Sequence, residues 1–129
     1  MKFVLLIYSN PANWEPLGES PHGAVLSPEQ RRQFVSEHNE LRDELAKTGE
    51  RVGGAGLAVP AESTTVRVRD GEIEATDGPY AETKEHLAGF YLVECDSRER
   101  AIEIAARMPD ARLAAVEVRP VVYPPSVQP

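Results

Sequence analysis

A single cysteine, Cys95, stands among 129 residues, which excludes an internal disulfide and a Cys-x-x-Cys metal or redox pair. It reads as a small, nearly buried hydrophobe at the end of a strand. Basic residues are also scarce: 14 lysines and arginines against 21 acids leave a formal charge of -7. No cationic run is long enough to neutralise a phosphate backbone, so nucleic acid is not an expected partner. Long apolar runs are missing too. The segment Phe3 to Tyr8 stops at Ser9-Asn10-Pro11, too short for a signal-peptide core or a membrane span, and a cytoplasmic protein away from the membrane is expected. His22, His38 and His86 lack close metal-ligand spacing, so no metal is expected. Gly53, Gly54 and Gly56 do not follow a strand and open a helix, which denies them a phosphate-cradling or dinucleotide role. No cofactor is expected.

What is present suits one compact domain over residues 1–123, with a proline-rich tail at 124–129. Apolar residues make up 41% of the chain, enough for a real core. Phe3 to Tyr8 is a dense apolar strand, expected to lie centrally in a sheet. Residues 9 to 26 show no period and read as a long loop, of the kind used as a lid or partner contact. Ser27-Pro28-Glu29-Gln30 then carries a capping serine, a proline at the first helical position and a glutamine able to close a capping box. Phe34, His38, Leu41 and Leu45 form one stripe of that helix, and Gly49 ends it.

Thr64 to Arg69 and Glu72 to Thr76, joined by Asp70-Gly71, read as a hairpin with a primed turn. Leu87 to Glu94 is a further strand. Asp96 is placed as the cap of a second helix running to about Met108, buried through Ala101, Ile102, Ala105 and Ala106. Ala115 to Val121 closes the order as a strand packing through Val116 and Val118. Strand, helix, hairpin and strand, helix, strand is a split β-α-β plan, an α+β domain with two helices on one face of an antiparallel sheet. The opposite face then needs cover from the long loop or from a second copy, and a homodimer is expected.

The densest chemistry lies in Asp77-Gly78-Pro79-Tyr80-Ala81-Glu82-Thr83-Lys84-Glu85-His86, a glycine-proline turn feeding the apolar run from Leu87. Asp77 suits a tight turn stiffened by Pro79, or a group facing a ligand. Glu82 and Lys84 share a side in extended chain. Lys84 suits an anion or enolate and Glu82 a proton-transfer base, against the simpler reading of a solvated ion pair. With Asp77 they form the expected catalytic set. Arg67, on the polar face of the hairpin, can fork onto a carboxylate, and it joins His38, Tyr80 and His86 as the expected substrate-binding set. His38 is read either as a histidine packed on the sheet or as an acid or base in a cleft. His22 reaches a cleft only if the early loop folds over it. Tyr91 is read as core, dimer packing or pocket wall. The ligand expected is a small anionic or carbonyl compound. The protein is then either a cofactor-independent acid–base enzyme or a non-catalytic binding or regulatory module.

Gly53-Gly54, Thr64-Thr65-Val66-Arg67, Thr76 to Glu85, Gly89-Phe90-Tyr91-Leu92 and Val116 to Pro120 together resemble the YCII-related proteins of the DGPF type, with Tyr80 where phenylalanine is usual. The resemblance runs from Lys2 to Val121. It implies a ferredoxin-like domain that dimerises face to face, of the dimeric α+β barrel class, with no settled substrate. It also implies a gene neighbourhood shared with extracytoplasmic-function sigma factors, and hence a link to transcription control. Related YCII proteins use a histidine–aspartate pair. No histidine of this chain matches that position, and His86 stands where glutamine is frequent.

Overall fold

The computed structural model describes residues 1–14, 21–81 and 83–122. Strand β1, Lys2–Ser9, alternates so that Phe3, Leu5, Ile7 and Ser9 are buried on one face. It occupies an inner position in an antiparallel sheet with β2 (Arg51–Gly56), β5 (His86–Glu94) and β6 (Ala115–Pro120), in the order β2-β5-β1-β6. This is the ferredoxin-like order for a βαββαβ chain. The core joins Phe3, Leu5, Tyr91 and Val93 of the sheet to Leu41 and Leu45 of helix α1 (Pro28–Thr48) and to Ala101, Ile104 and Ala105 of α2 (Arg98–Arg107). Phe3, Leu5 and Ile7 pair with Val93, Tyr91 and Gly89, so both helices cover the same face. Each fully buried Leu or Ile contributes on the order of 1.5–3 kcal/mol there. On the other face, Val4, Leu6 and Tyr8 lie opposite Leu92, Phe90 and Leu87 and are half-buried.

Local signals set the ends of α1. Ser27 accepts from the Gln30 amide, the Gln30 side chain accepts from the Ser27 amide, and Gly49 closes the helix in the left-handed conformation at φ 76°. The cap of α2 is Ser97, not Asp96: its hydroxyl accepts from the Arg100 amide. The buried stripe of this helix is Ala101, Ile104 and Ala105, and Ile102, 51% exposed, and Ala106 lie on its outer face. A short α3, Asp110–Leu113, follows directly.

The hairpin is correctly read as a pair and wrongly placed in the main sheet. Strands β3 (Thr64–Arg69) and β4 (Glu72–Asp77) form a separate two-stranded sheet. Its turn residues Asp70 and Gly71 have φ of 51° and 79°, as a primed turn requires. Val66, Val68 and Ile73 remain 61%, 66% and 75% exposed, so the ribbon adds little to the core. The strand beside β5 is instead the glycine segment. A Cβ at Gly89 would stand 2.8 Å from the Ala55 carbonyl oxygen, and only glycine permits this approach of β2 to β5. Glycines carry no apolar alternation, which is why this strand is invisible to periodicity.

Cys95 is buried and free at the end of β5, as read from its surroundings. No helix among the described residues is long and apolar enough to cross a membrane. The tail from residue 123 lies outside the described residues.

Candidate functional site

Asp110 opens α3 with its side chain almost wholly buried, and two histidines from distant segments close on it. His22 Nε2 is 3.0 Å from Oδ2, and His38 Nε2 is 2.5 Å from Oδ1. Burial pushes the Asp110 carboxyl upward, but hydrogen bonds and charge from the two imidazoles prevail and hold it at about 2. An ionised carboxylate only accepts, so each imidazole presents Nε2–H to it. For neutral His38 this leaves a lone pair on Nδ1, which faces the Tyr91 hydroxyl at 3.3 Å. Desolvation raises the Tyr91 pKa, against the charges of Arg42 and Arg51 and a hydrogen bond from Arg42. The phenol therefore stays protonated at neutral pH and donates to His38 Nδ1.

Each group is held locally. His38 lies one turn beyond Phe34 on α1, and the Phe34 ring packs edge-on against both imidazoles, with centroids 5.6 Å from His22 and 4.8 Å from His38. His22 is fully buried at the end of the β1–α1 loop, so this part of the loop does fold over the site. Ser9, the last residue of β1, secures it there: its hydroxyl donates to the Pro21 carbonyl and lies 3.4 Å from His22 Nδ1.

His38, Tyr91 and Asp110 border a cavity of about 550 Å³, within the range of small-molecule sites. Ile7, Phe34, Leu57 and Ala88 supply apolar wall, and Arg42 and Arg51 supply positive charge. The Arg51 guanidinium sits 4.7 Å above the Tyr91 ring. The structure thus joins one of the sequence-derived candidates, His38, to a constellation containing His22 and Asp110. The sequence signal for Asp110 is weak: an aspartate after Met108-Pro109, where a helix has just ended and another turn begins.

The other candidates occupy the hairpin and its exit. Asp77 is exposed at the end of β4, paired in register with Thr64. Gly78 donates its amide to the Ser63 carbonyl at 2.7 Å and accepts from Thr65 Oγ1 at 2.9 Å, so the motif turn ties off the open end of the ribbon. The Arg67 guanidinium lies 5.0 Å above the exposed Tyr80 ring. Lys84 is exposed, and its partner in the expected ion pair, residue 82, lies outside the described residues. His86, with Pro79 and Glu62, lines a second cavity of about 390 Å³ that shares Leu57 and Ala58 with the first. Arg67, Asp77, Tyr80, Lys84 and His86 are not among the residues of the larger cavity wall. No group of three His, Cys, Asp or Glu among the described residues is arranged to hold a metal ion.

A four-stranded antiparallel sheet backed by helices, with a histidine–aspartate cluster at a cavity, defines a ferredoxin-like α+β protein with a small-molecule-sized site. Residues 1–123 match the YCII-related domain, and the chain belongs to that family. It is 32% identical over 109 residues to the uncharacterised protein R00369 of Rhizobium meliloti (strain 1021), covering 82% of this chain and 88% of that one.

Proposed function

We propose that this YCII-related protein is a cofactor-independent acid–base enzyme acting on a small carbonyl compound, with His38 as the proton-transfer residue. The observation that carries the reading is the bridging of His22 and His38 by one buried carboxylate, which leaves His38 Nδ1 directed at the Tyr91 hydroxyl on a cavity wall. Asp110 fixes the His38 tautomer and stabilises the imidazolium formed when Nδ1 takes a proton. With substrate bound, Nδ1 removes a proton from carbon beside a carbonyl. The electron pair moves onto the carbonyl oxygen, where the Tyr91 hydroxyl donates to the enolate. Return of the proton to the same or a conjugated carbon completes an exchange or an isomerisation.

The test is deuterium uptake at carbon, followed by proton NMR in D₂O, over a panel of small ketones and keto acids. Enzyme-dependent exchange that is lost in His38→Gln supports the reading. A panel in which compounds bind saturably without exchange favours the ligand-binding or regulatory module.

A homodimer forms the second part of the reading. The helices cover one sheet face, and the other presents Val4, Leu6, Phe90 and Leu92 half-buried, with the apolar side of the hairpin exposed nearby in sequence. A second copy laid on that face would cover it. Sedimentation at micromolar protein is expected to give twice the 14.2 kDa chain mass, and the mass of one chain would remove the dimer.

A further inference from the structure

Two arginines of the larger cavity differ from the five that form ion pairs. Arg69, Arg100, Arg107, Arg112 and Arg119 each meet a glutamate. Arg42 and Arg51 line the larger cavity, and among the described residues neither has a carboxylate partner. Arg42 bonds to the neutral Asn39 side chain, and Arg51 stacks on Tyr91 with its Nε buried and unbonded. A chain with 21 acidic residues against 14 basic ones has ample carboxylate to neutralise them. Leaving a buried guanidinium nitrogen unbonded costs stability.

The charged groups on the cavity wall are Arg42, Arg51 and Asp110, beside His38. Asp110 keeps its negative charge, but both of its oxygens face imidazole nitrogens, and the two guanidiniums outnumber it on this wall. We propose that the cavity binds a small carboxylic acid, its carboxylate held by Arg42 and Arg51 and its apolar body against Phe34, Leu57 and Ala88. Guanidinium matches a carboxylate in a planar fork, which a ketone or amide oxygen cannot replace. Resting on the acid–base reading above, this narrows the substrate to a carboxylic acid bearing a second carbonyl. The anchored end sits at the arginines and the acidic C–H faces His38.

Benzoate and benzamide, nearly equal in shape and different in charge, separate anchoring from turnover. Isothermal titration is expected to show benzoate binding about tenfold or more tighter than benzamide. Arg51→Gln and Arg42→Gln should each remove most of that advantage and leave benzamide unchanged. Arg42 is exposed, so its variant reads the anchor even if Arg51→Gln fails to fold. Benzoate should also shift the His38 and Tyr91 side-chain resonances. Benzoate binding is read without turnover, so the anchor stands or falls apart from deuterium exchange. Equal affinity for the two probes, no saturable benzoate binding at millimolar concentration, or unchanged benzoate affinity in both arginine variants would overturn the proposal.

Discussion

The motif between Ser63 and His86 and the cluster around Asp110 are built on different scales of the chain. In the motif, Gly78 reaches back to Ser63 and Thr65, and Arg67 covers Tyr80, all within one hairpin and its exit. In the cluster, His22 and His38 lie 88 and 72 residues from the aspartate they share. The motif concentrates titratable groups in sequence yet leaves Asp77, Tyr80 and Lys84 exposed, where water weakens their influence on one another. The cluster has few such groups, but burial makes each contact count. Density of polar residues along a chain is therefore a poor guide to where their chemistry is strong.

Removing the centre of the cluster should have the largest effect. Asp110→Ala leaves two imidazoles facing a void, and urea unfolding is expected to show a loss of about 3–5 kcal/mol with deuterium exchange abolished. An effect under about 1 kcal/mol would place the cluster no higher than an ordinary surface pair.

His38→Gln keeps a hydrogen-bonding side chain on α1 and should fold. Its exchange rate is expected to fall about 10²–10⁴-fold, measured by proton NMR. A smaller loss would move the proton-transfer role to another group.

Acid should act through the same carboxylate and through Glu50. Asp110 is held at about 2, below its ordinary 3.8, so its contribution is present above pH 4 and is lost as pH falls towards 2. Glu50, held at about 2 by the Arg100 guanidinium, loses its contribution over the same range. Stability should fall steeply across that window, by about 2 kcal/mol for Asp110, and the slope should flatten in Asp110→Ala. An equally steep slope in that variant would detach acid sensitivity from the site.

Gly89→Ala pushes a methyl into the Ala55 carbonyl and should cost about 1–3 kcal/mol, read by thermal unfolding, because β2 must shift from β5. The smallest expected effect belongs to the motif. Lys84→Ala should change stability by less than about 0.5 kcal/mol and leave the exchange rate close to that of the parent. A clear loss of exchange there would return the chemistry to the hairpin region.

Local interactions made much of the fold legible. The capping box at Ser27, the stop at Gly49, the primed turn at Asp70-Gly71 and the alternation of β1 depend on neighbours a few residues apart, and each appears in the structure. The sequence by itself also carried enough family-specific residues to mark a YCII-related domain. Tertiary structure alone decided that the glycine segment is a sheet strand, because its fitness for that place lies in a Cβ it lacks at the approach of Gly89 to Ala55. It alone decided which histidines meet Asp110. His22 comes from an aperiodic loop and His38 from an apolar helix stripe, and Asp110 follows a helix end. Their contacts form only when folding removes water from between them, a long-range burial that no local pattern encodes.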